Sequence, residues 1–310
     1  MENANTDLPI VKKKDKKSLQ KSKLINLFEL KNLNSIYYQS KNTVVYRLDA
    51  IEFLKSLPDS SIDLIITDPA YSSMNNHLKL GRGRIVGEYQ NRGEDGKWFK
   101  EFEDSVENYS LFLGEARRVL KENSHIYVML DSFSLLNLGP LFKNYFDVKN
   151  ILVWDKVNMG MGHYFRRQVE FIIFCTKGKL KLTKKNFRDL WRVKRIKADF
   201  PSQKPVQIFE NMIKASKTSR VKNYVVCDPF LGSGSSAIAS LKKKALFIGA
   251  DISIKAMNAS TKRIESYESL KIDPGEKSNK RKPRKKKNSK RKQPKVKVNP
   301  ISQKKLDRSG

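Results

Sequence analysis

Short apolar runs alternate with segments of helical periodicity along the middle of this chain. The apolar runs predict buried strands at 43–47, 62–67, 125–130, 148–153, 169–174, 224–227 and 245–250. Apolar residues spaced three and four apart predict helices at 49–57, 105–120, 135–146 and 205–216, and a further helix-like stretch ends near Leu241. Strands that alternate with helices indicate an α/β fold with a mainly parallel sheet and helices on both faces.

The strand that ends at Thr67 leads directly into four residues with distinct chemical properties. These residues are Asp68, Pro69, Ala70 and Tyr71. The acid can accept hydrogen bonds, the proline stiffens the turn and removes a backbone donor, and the aromatic ring offers a flat face to a planar ligand. Open α/β sheets bind ligands at this end of their strands. Taken alone, the four residues favour a simpler interpretation, which is a strand-to-loop turn with a helix-capping Asp.

A glycine-rich loop follows the predicted strand 224–227. Gly232, Gly234 and Ala237 have the G-x-G-x-x-G/A spacing, and Asp251 ends the next strand 19 residues after Gly232. The glycines allow close approach of the backbone, the following helix offers free N–H groups to an anion, and an acid at this distance binds ribose hydroxyls. The pattern predicts a nucleotide-like cofactor. A nicotinamide-dependent dehydrogenase and a glycine-rich turn in an unrelated α/β domain are the alternatives.

Three motifs together resemble those of a known enzyme family. Residues 68–71 resemble the D-P-P-Y motif, residues 228–234 the D-P-F-x-G-S-G cofactor loop, and residues 201–205 the P-T/S-Q-K-P segment of DNA amino-methyltransferases that use S-adenosylmethionine. A catalytic motif that comes first and a cofactor loop that comes last match the permuted β class of this family. The resemblance covers about residues 43–267 and implies a Rossmann-like methyltransferase sheet.

The resemblance implies methyl transfer to the exocyclic amine of a flipped-out adenine. Asp68 and the Pro69 carbonyl would each accept one N–H of the amine, and Tyr71 would stack on the base. The chain departs from the family at Ala70, which replaces the second proline, and at Phe200, where the family often has His. Asp at the first motif position indicates adenine N6, whereas Ser there is more typical of cytosine N4. An N4-cytosine methyltransferase and a non-catalytic DNA-binding protein on the same fold are the alternatives.

The glycine loop and the resemblance predict how S-adenosylmethionine is bound. The loop and the following helix are expected to receive its methionine end, Asp228 its ammonium group and Asp251 the ribose hydroxyls. The resemblance adds Gln203 and Lys204, and it adds Asp49 for the adenine ring, although Asp49 fits equally as a helix cap. The full predicted cofactor set is Asp49, Gln203, Lys204, Asp228, Phe230, Gly232, Ser233, Gly234 and Asp251. The three histidines lack the spacing of metal ligands, so no metal is expected.

The chain carries a formal net charge of +31. Residues 1–23 contribute +4 and residues 277–310 contribute +15, which leaves +12 for the middle of the chain. The globular part is therefore basic in its own right, which favours a polyanionic partner, here double-stranded DNA. A lysine-rich composition with diffuse charge is the alternative.

Two segments are predicted to contact DNA. Residues 72–100 form a glycine-rich loop that is expected to be mobile over the target base, and residues 177–200 interleave basic and aromatic side chains as a target-recognition segment. The predicted DNA-binding residues are Arg82, Arg84, Lys184, Lys185, Arg188, Trp191, Arg192 and Arg195. A solvated surface with aromatics packed beneath it is the alternative for both segments. Residues 158–167 are expected either to line the base pocket or to form a plain inter-strand loop.

Composition divides the chain into a disordered basic arm at 1–23, a methyltransferase domain at 24–270 and a disordered basic tail at 271–310. The tail suits attraction to DNA or, in a eukaryotic or viral host, nuclear import, and a merely solubilising tail is the alternative. In a prokaryote the protein is expected in the cytoplasm at the nucleoid. Cys175 and Cys227 are expected to be reduced, and no apolar run reaches the roughly 20 residues that span a membrane. The sequence leaves open a homodimer and a cognate restriction endonuclease as partners.

Overall fold

The computed structural model describes residues 22–69, 102–103, 105–160, 164–196, 198, 200 and 203–275. The predictions for Ala70, Tyr71, Arg82 and Arg84, for the loop 72–100 and for most of the two terminal arms lie outside the described residues.

A single twisted sheet runs through the described part of the chain. Its strands are β1 (Ile36–Gln39), β2 (Thr43–Tyr46), β3 (Ile62–Thr67), β4 (Leu120–Leu130), β5 (Asp147–Asp155), β6 (Val169–Lys177), β7 (Leu190–Arg192), β8 (Val225–Asp228) and β9 (Leu246–Ala250). They lie in the order β1-β2-β9-β8-β3-β4-β6-β5-β7. The central strands β2, β9, β8, β3 and β4 are parallel, while β6 runs antiparallel to both β4 and β5. The predicted α/β fold with a mainly parallel sheet is confirmed.

Helices cover both faces of this sheet. They are α1 (Lys23–Leu27), α2 (Ala50–Lys55), α3 (Val106–Val119), α4 (Ser132–Leu138), α5 (Val206–Ser216), α6 (Ser235–Lys242) and α7 (Ile254–Leu270), with 3₁₀ turns at Leu33–Ser35 and Gly139–Asn144. On the central strand β3, Ile65 packs into one core with α2 and α3, whereas Leu64 and Ile66 pack into the other with α5, α6 and α7. Because both faces are covered, β3 is apolar along nearly its whole length rather than alternating.

Some elements differ from the sequence prediction. The expected helix 135–146 is split, because Pro140 lacks the N–H that would continue the α-helical ladder, and the chain tightens into the 3₁₀ turn. Strand β4 begins at Leu120, five residues before the predicted start. The pattern did not predict β1, β7 or α7, and β7 has only three residues, which is too short to show a periodicity.

Acidic residues gather at the carboxyl edge of the parallel strands. Asp68 follows β3, Asp228 ends β8 and Asp251 follows β9, and these three strands are neighbours in the sheet. Asp131 follows β4 on the other side of β3. Since parallel strands end at one edge, residues far apart in sequence meet there, and this edge carries the candidate site.

Within the described ranges, no helix is both long and apolar enough to cross a membrane. The same residues contain no group of three or more His, Cys, Asp or Glu side chains that could hold a metal ion.

Candidate active site at the carboxyl edge of the sheet

Asp228 lies buried where β8 meets the glycine loop. Its carboxylate accepts hydrogen bonds from the Thr67 hydroxyl at 2.7 Å, from the Phe230 N–H at 3.0 Å and from the Ser236 hydroxyl. Burial raises the pKa of Asp228 to about 7, against the opposing effect of these donors. The side chain therefore joins the end of β3, the loop and the start of α6. Its contact with the ammonium group of a cofactor stays a prediction.

The glycine loop needs its glycines for two different reasons. Gly232 and Gly234 have φ angles of 51° and 82°, in the left-handed region that other residues rarely enter. A Cβ on Gly234 would also lie 2.9 Å from the Cβ of Ser260 on α7, so only glycine lets the loop pack this closely. Gly234 directly precedes α6, and among the described residues no side chain caps this end of the helix. The N–H groups of the first turn of α6 can therefore meet an anionic group of a ligand.

Asp251 holds the loop from the neighbouring strand. It accepts the Gly232 N–H at 2.8 Å through one carboxylate oxygen and the Ser253 N–H at 2.8 Å through the other. Burial raises the pKa of Asp251, while these backbone donors counteract the shift. Each carboxylate oxygen has two acceptor positions, so the half-buried Asp251 retains capacity for ribose hydroxyls. The loop, the uncapped helix start and this acid fit a nucleoside cofactor with an anionic end.

Asp68 belongs to a chain of alternating charges. Its carboxylate accepts a hydrogen bond from Lys204, and the ammonium of Lys204 also lies 3.5 Å from Glu170. Lys156 pairs with the other oxygen of Glu170 at 3.2 Å. Burial would lower the pKa of Lys204, but the carboxylates of Asp68 and Glu170 raise it. Burial likewise opposes ionisation of Glu170, but Lys204 and Lys156 together lower its pKa.

The structure therefore brings Lys204 to Asp68, at the start of the turn predicted to be catalytic, as well as to the glycine loop. Its backbone carbonyl accepts the Ser235 hydroxyl at 2.7 Å, so the same residue touches α6 and Asp68. Its predicted contact with a cofactor stays a prediction. Glu170 and Lys156 were not predicted, because they lie outside every motif. Glu170 is linked to Asp68 only through Lys204, and Lys156 only through Glu170.

Arg263 on α7 clamps the glycine loop. One end of its guanidinium donates to the Ser233 carbonyl at 2.7 Å and lies 3.2 Å from the Ser235 hydroxyl. The other nitrogens form a two-pronged pair with Asp273 at 2.9 and 2.7 Å, and both side chains are buried. Burial opposes ionisation of Asp273, but Arg263 outweighs it and lowers the pKa of the carboxyl. Gln203 donates to the Gly275 carbonyl at 3.1 Å, so the chain beyond α7 belongs to the folded part.

A family model described as DNA methylase, of the N6/N4 methyltransferase type, matches residues 62–262, which is more than half of the chain. This protein belongs to the N6/N4 DNA methylase family. The match includes both the catalytic turn and the cofactor loop, whose strands lie side by side in the sheet.

Named relatives of this DNA methylase come from several bacteria. It is 28% identical over 254 residues to the type II methyltransferase M2.MboI of Moraxella bovis, and the match covers 73% of this chain and 90% of the relative. It is 30% identical over 254 residues to M.HinfI of Haemophilus influenzae, which covers 72% of this chain and 68% of the relative.

Solved structures share the fold of this methylase. The M1.HpyAVI–SAM complex matches with a TM-score of 0.51 and 20% identity, over 71% of this chain and 99% of the other. The cytosine-N4-specific PvuII DNA methyltransferase matches with a TM-score of 0.55 and 15% identity, over 75% of this chain and 88% of the other.

Two further predicted cofactor residues of the methylase have clear structural roles. Asp49 caps α2 by accepting the Ile51 N–H at 2.9 Å, which confirms the helix-cap interpretation. Phe230 packs its ring 4.9 Å from that of Phe102 and 5.7 Å from that of Phe112. The contact of Asp49 with adenine and that of Phe230 with cofactor stay predictions.

One residue of the predicted target-recognition segment is misassigned. Trp191 is 9% exposed, packs in the core beside β5 and donates its indole N–H to the Arg188 carbonyl at 2.8 Å. The prediction that Trp191 stacks on DNA is wrong, because its ring faces the protein. The basic residues of the segment are exposed, although Arg192 also donates to the Asp155 carboxylate at 2.9 Å. The DNA contacts of these residues stay predictions: Lys184, Lys185, Arg188, Arg192 and Arg195.

Proposed function

We propose that this DNA methylase transfers a methyl group from S-adenosylmethionine to the N6 amine of an adenine flipped out of double-stranded DNA. The observation that carries the proposal is the bond from the Thr67 hydroxyl to the Asp228 carboxylate. This bond holds the end of the catalytic strand against the end of the cofactor strand. A methyl donor at the glycine loop and an amine at Asp68 would then be neighbours, which is the positioning that methyl transfer requires.

The residues around the loop fit S-adenosylmethionine. When bound, this cofactor supplies a methyl group on a positively charged sulfur. The N–H groups at the start of α6 suit its carboxylate, and Asp251 suits its ribose hydroxyls. Asp228 holds the loop through the Phe230 N–H and Arg263 holds it through the Ser233 carbonyl, so contacts within the protein set the shape of the loop.

Asp68 and the carbonyl of Pro69 are the proposed acceptors for the two amine protons. An exocyclic amine is a weak nucleophile, because its lone pair is delocalised into the ring. Two acceptors on its N–H groups make the nitrogen more tetrahedral and direct the lone pair toward the methyl group. Lys204 keeps Asp68 ionised and therefore purely an acceptor. The amine proton becomes acidic only as the new bond forms, and Asp68 is placed to take it.

Lys204 also sets the orientation of Asp68. Its ammonium is held on the opposite side by Glu170, and Glu170 is held in turn by Lys156. Because Glu170 restricts the movement of the Lys204 ammonium, the Asp68 carboxylate must align with this ammonium. Support for adenine over cytosine comes from the aspartate itself, since a serine at this motif position is more typical of cytosine N4 methylation.

The decisive experiment identifies the modified nucleoside. Purified protein is incubated with unmodified genomic DNA and S-adenosylmethionine, and the DNA is digested to nucleosides for mass spectrometry. N6-methyladenine is expected, and it should be absent with Asp68→Ala. The variant should still bind S-adenosylmethionine, because residue 68 lies outside the loop. N4-methylcytosine alone would overturn the choice of base, and binding of NAD without binding of S-adenosylmethionine would overturn the reaction.

We further propose that the methylase acts in the cytoplasm of a bacterial cell as the modification half of a restriction–modification pair. The support is the type II methyltransferase relatives and their bacterial sources. Protection of methylated DNA against restriction digestion in a host that expresses the protein tests this proposal. A homodimer stays a prediction that sedimentation velocity can test.

A further inference from the structure

The hairpin between β5 and β6 has a stem, residues 156–160 and 164–168, whose two sides are joined by backbone hydrogen bonds. The Lys156 N–H donates to the Gln168 carbonyl at 2.9 Å, and the Gly160 N–H donates to the Arg167 carbonyl at 2.8 Å. These bonds continue the pairing beyond the ends of both strands. Gly160 is required here, because a Cβ at this position would lie 2.6 Å from the Arg167 carbonyl oxygen.

Side chains beneath the hairpin hold the stem against the sheet. Asp155 accepts a hydrogen bond from the Gln168 amide at 2.8 Å. The guanidinium of Arg167 lies 5.1 Å from the centre of the Phe133 ring and 3.8 Å from the Asp131 carboxylate. The stem therefore has a defined direction and can support a side chain that projects from it.

Phe165 projects from this stem into solvent. Its side chain is 97% exposed, and that of its neighbour Tyr164 is 92% exposed. Met159, on the opposite side of the stem, is 60% exposed. Arg166 is also exposed, and its Nε donates to the Gly160 carbonyl at 2.9 Å, which fixes a cation beside the rings. Three exposed apolar side chains on one hairpin form a patch rather than a scattered residue, and such patches mark binding sites.

The hairpin stands next to the catalytic turn. Glu170 is the second residue of β6, the return strand of the hairpin, and lies 3.5 Å from Lys204, which bonds to Asp68. Phe165 precedes Glu170 by five residues, so the backbone places them at most about 18 Å apart. Arg167, two residues after Phe165, lies 3.8 Å from Asp131, which follows β4 at the same edge of the sheet as Asp68. A duplex whose target base reaches Asp68 therefore meets the edge of the sheet from which Phe165 projects.

We propose that Phe165 is a wedge that enters the base stack beside the target and occupies the space that the flipped base leaves. This inference rests on the proposed function. Flipping removes a base from the stack and costs stacking energy, and an inserted aromatic ring restores part of it. Proteins that distort DNA insert phenylalanine between base steps in this way. Arg166 supplies a positive charge for the phosphate beside the gap.

A second copy of the chain is the other partner that such a projection could meet. A stable protein interface buries about 800 Å² on each partner. The two rings offer roughly 150–250 Å² each, and they stand on a narrow hairpin rather than on a flat face. The basic chain, with its net charge of +31, also favours an anionic partner.

The test compares methylation of two duplexes that contain a site mapped with the parent protein. In one the target base is paired, and in the other the position opposite the target is abasic, so the base is already unpaired. Phe165→Ala should slow methylation of the paired duplex by about 10- to 100-fold and that of the abasic duplex by less than about 3-fold, because flipping costs least for an unpaired base. Phe165→Trp should retain the parent rate, since its ring still stacks. The matched control is Leu270→Ala, which removes a side chain that is 68% exposed at the end of α7 and should change neither rate.

Equal losses on both duplexes, or no loss on either, would overturn the wedge. A loss that accompanies a change from dimer to monomer in sedimentation would assign Phe165 to a second copy instead. A parent that methylates no DNA would refute the proposed function, and stacking can still be tested separately. Plain duplex DNA should quench the tryptophan emission of Phe165→Trp more than that of Leu270→Trp, and equal quenching of the two variants would also overturn the wedge.

Discussion

The Thr67 hydroxyl donates a hydrogen bond to the buried Asp228 carboxylate at 2.7 Å. Thr67 is the last residue of the strand that leads into the proposed catalytic turn, and Asp228 is the last residue of the strand that leads into the proposed cofactor loop. One hydroxyl therefore fixes the relative position of the two halves of the site. Thr67 is not among the predicted ligand-binding residues, so the bond can be removed without replacing any of them.

Thr67→Val should loosen this connection. Valine keeps the shape of the side chain but leaves Asp228 short of one donor, so the free energy of unfolding should fall by about 1–3 kcal/mol. Because Asp228 also holds the loop through the Phe230 N–H, KM for S-adenosylmethionine should rise by about threefold to tenfold. Urea unfolding and initial rates measure the two effects. Thr43→Val is the matched control, since Thr43 is buried at the opposite edge of the sheet and should leave KM unchanged. An unchanged KM in Thr67→Val would contradict the role given to the bond.

The pKa of Asp228 predicts a stability that falls as the pH rises. In the unfolded chain an aspartate titrates near pH 3.9, whereas burial raises the pKa of Asp228 to about 7 in the folded protein. Between these values the folded state binds more protons, so its stability is highest at the acidic end and declines until about pH 7.

Asp228→Asn isolates this contribution, because asparagine does not titrate. Relative to the variant, the parent should lose on the order of 4 kcal/mol of unfolding free energy between pH 4 and pH 8. Chemical denaturation at several pH values, followed by circular dichroism, gives the comparison. Parallel curves for the two proteins would show that folding does not raise the pKa of Asp228.

Lys204→Met should damage the chemical step more than cofactor binding. Without the ammonium, the carboxylates of Asp68 and Glu170 lose their shared partner and repel each other. Asp68 should then protonate more readily, so the acidic limb of kcat against pH should move to higher pH, and kcat at pH 7 should fall by about 100-fold. Lys156→Met is the control, since it removes a cation from Glu170 but leaves Lys204 on Asp68. An acidic limb that stays in place would argue that Lys204 does not govern the charge of Asp68.

Substitutions at Arg263 and Asp273 should change the free energy of unfolding and the binding of the cofactor separately. Arg263→Met leaves Asp273 buried and unpaired, which should cost about 3–5 kcal/mol of unfolding free energy. The double variant Arg263→Met with Asp273→Leu should recover part of that loss, because no buried charge remains.

The KM of this double variant for S-adenosylmethionine should nevertheless stay higher than that of the parent, since the Ser233 carbonyl has lost its donor. Lys262→Met, an exposed neighbour on α7, controls for the loss of a positive charge. Full recovery of both stability and KM in the double variant would reduce the pair to a purely structural role.

The acids at the strand ends could be predicted from sequence, because each follows its own apolar run directly. Asp68, Asp228 and Asp251 are therefore visible as local patterns, and parallel strands then bring them to one edge. Glu170 and Arg263 could not be found in this way, since no fixed spacing links them to their partners. The buried position of Trp191 was predicted only as the alternative, because basic neighbours in a three-residue strand resemble an exposed surface. The sequence shows which acids follow each strand, but it does not show which side chains pair in the folded protein.

The placement of β8 between β9 and β3 has a consequence for how the chain folds. The two residues joined by the bond at the centre of the site are 161 positions apart in sequence. During synthesis, β3 therefore leaves the ribosome long before its neighbour β8 exists, and one of its edges lacks its final partner until then. Such distant pairing closes slowly and leaves an apolar strand edge open to other chains in the meantime. Yield of native protein should thus depend on slow translation, low temperature or chaperones, even for variants whose finished fold is stable.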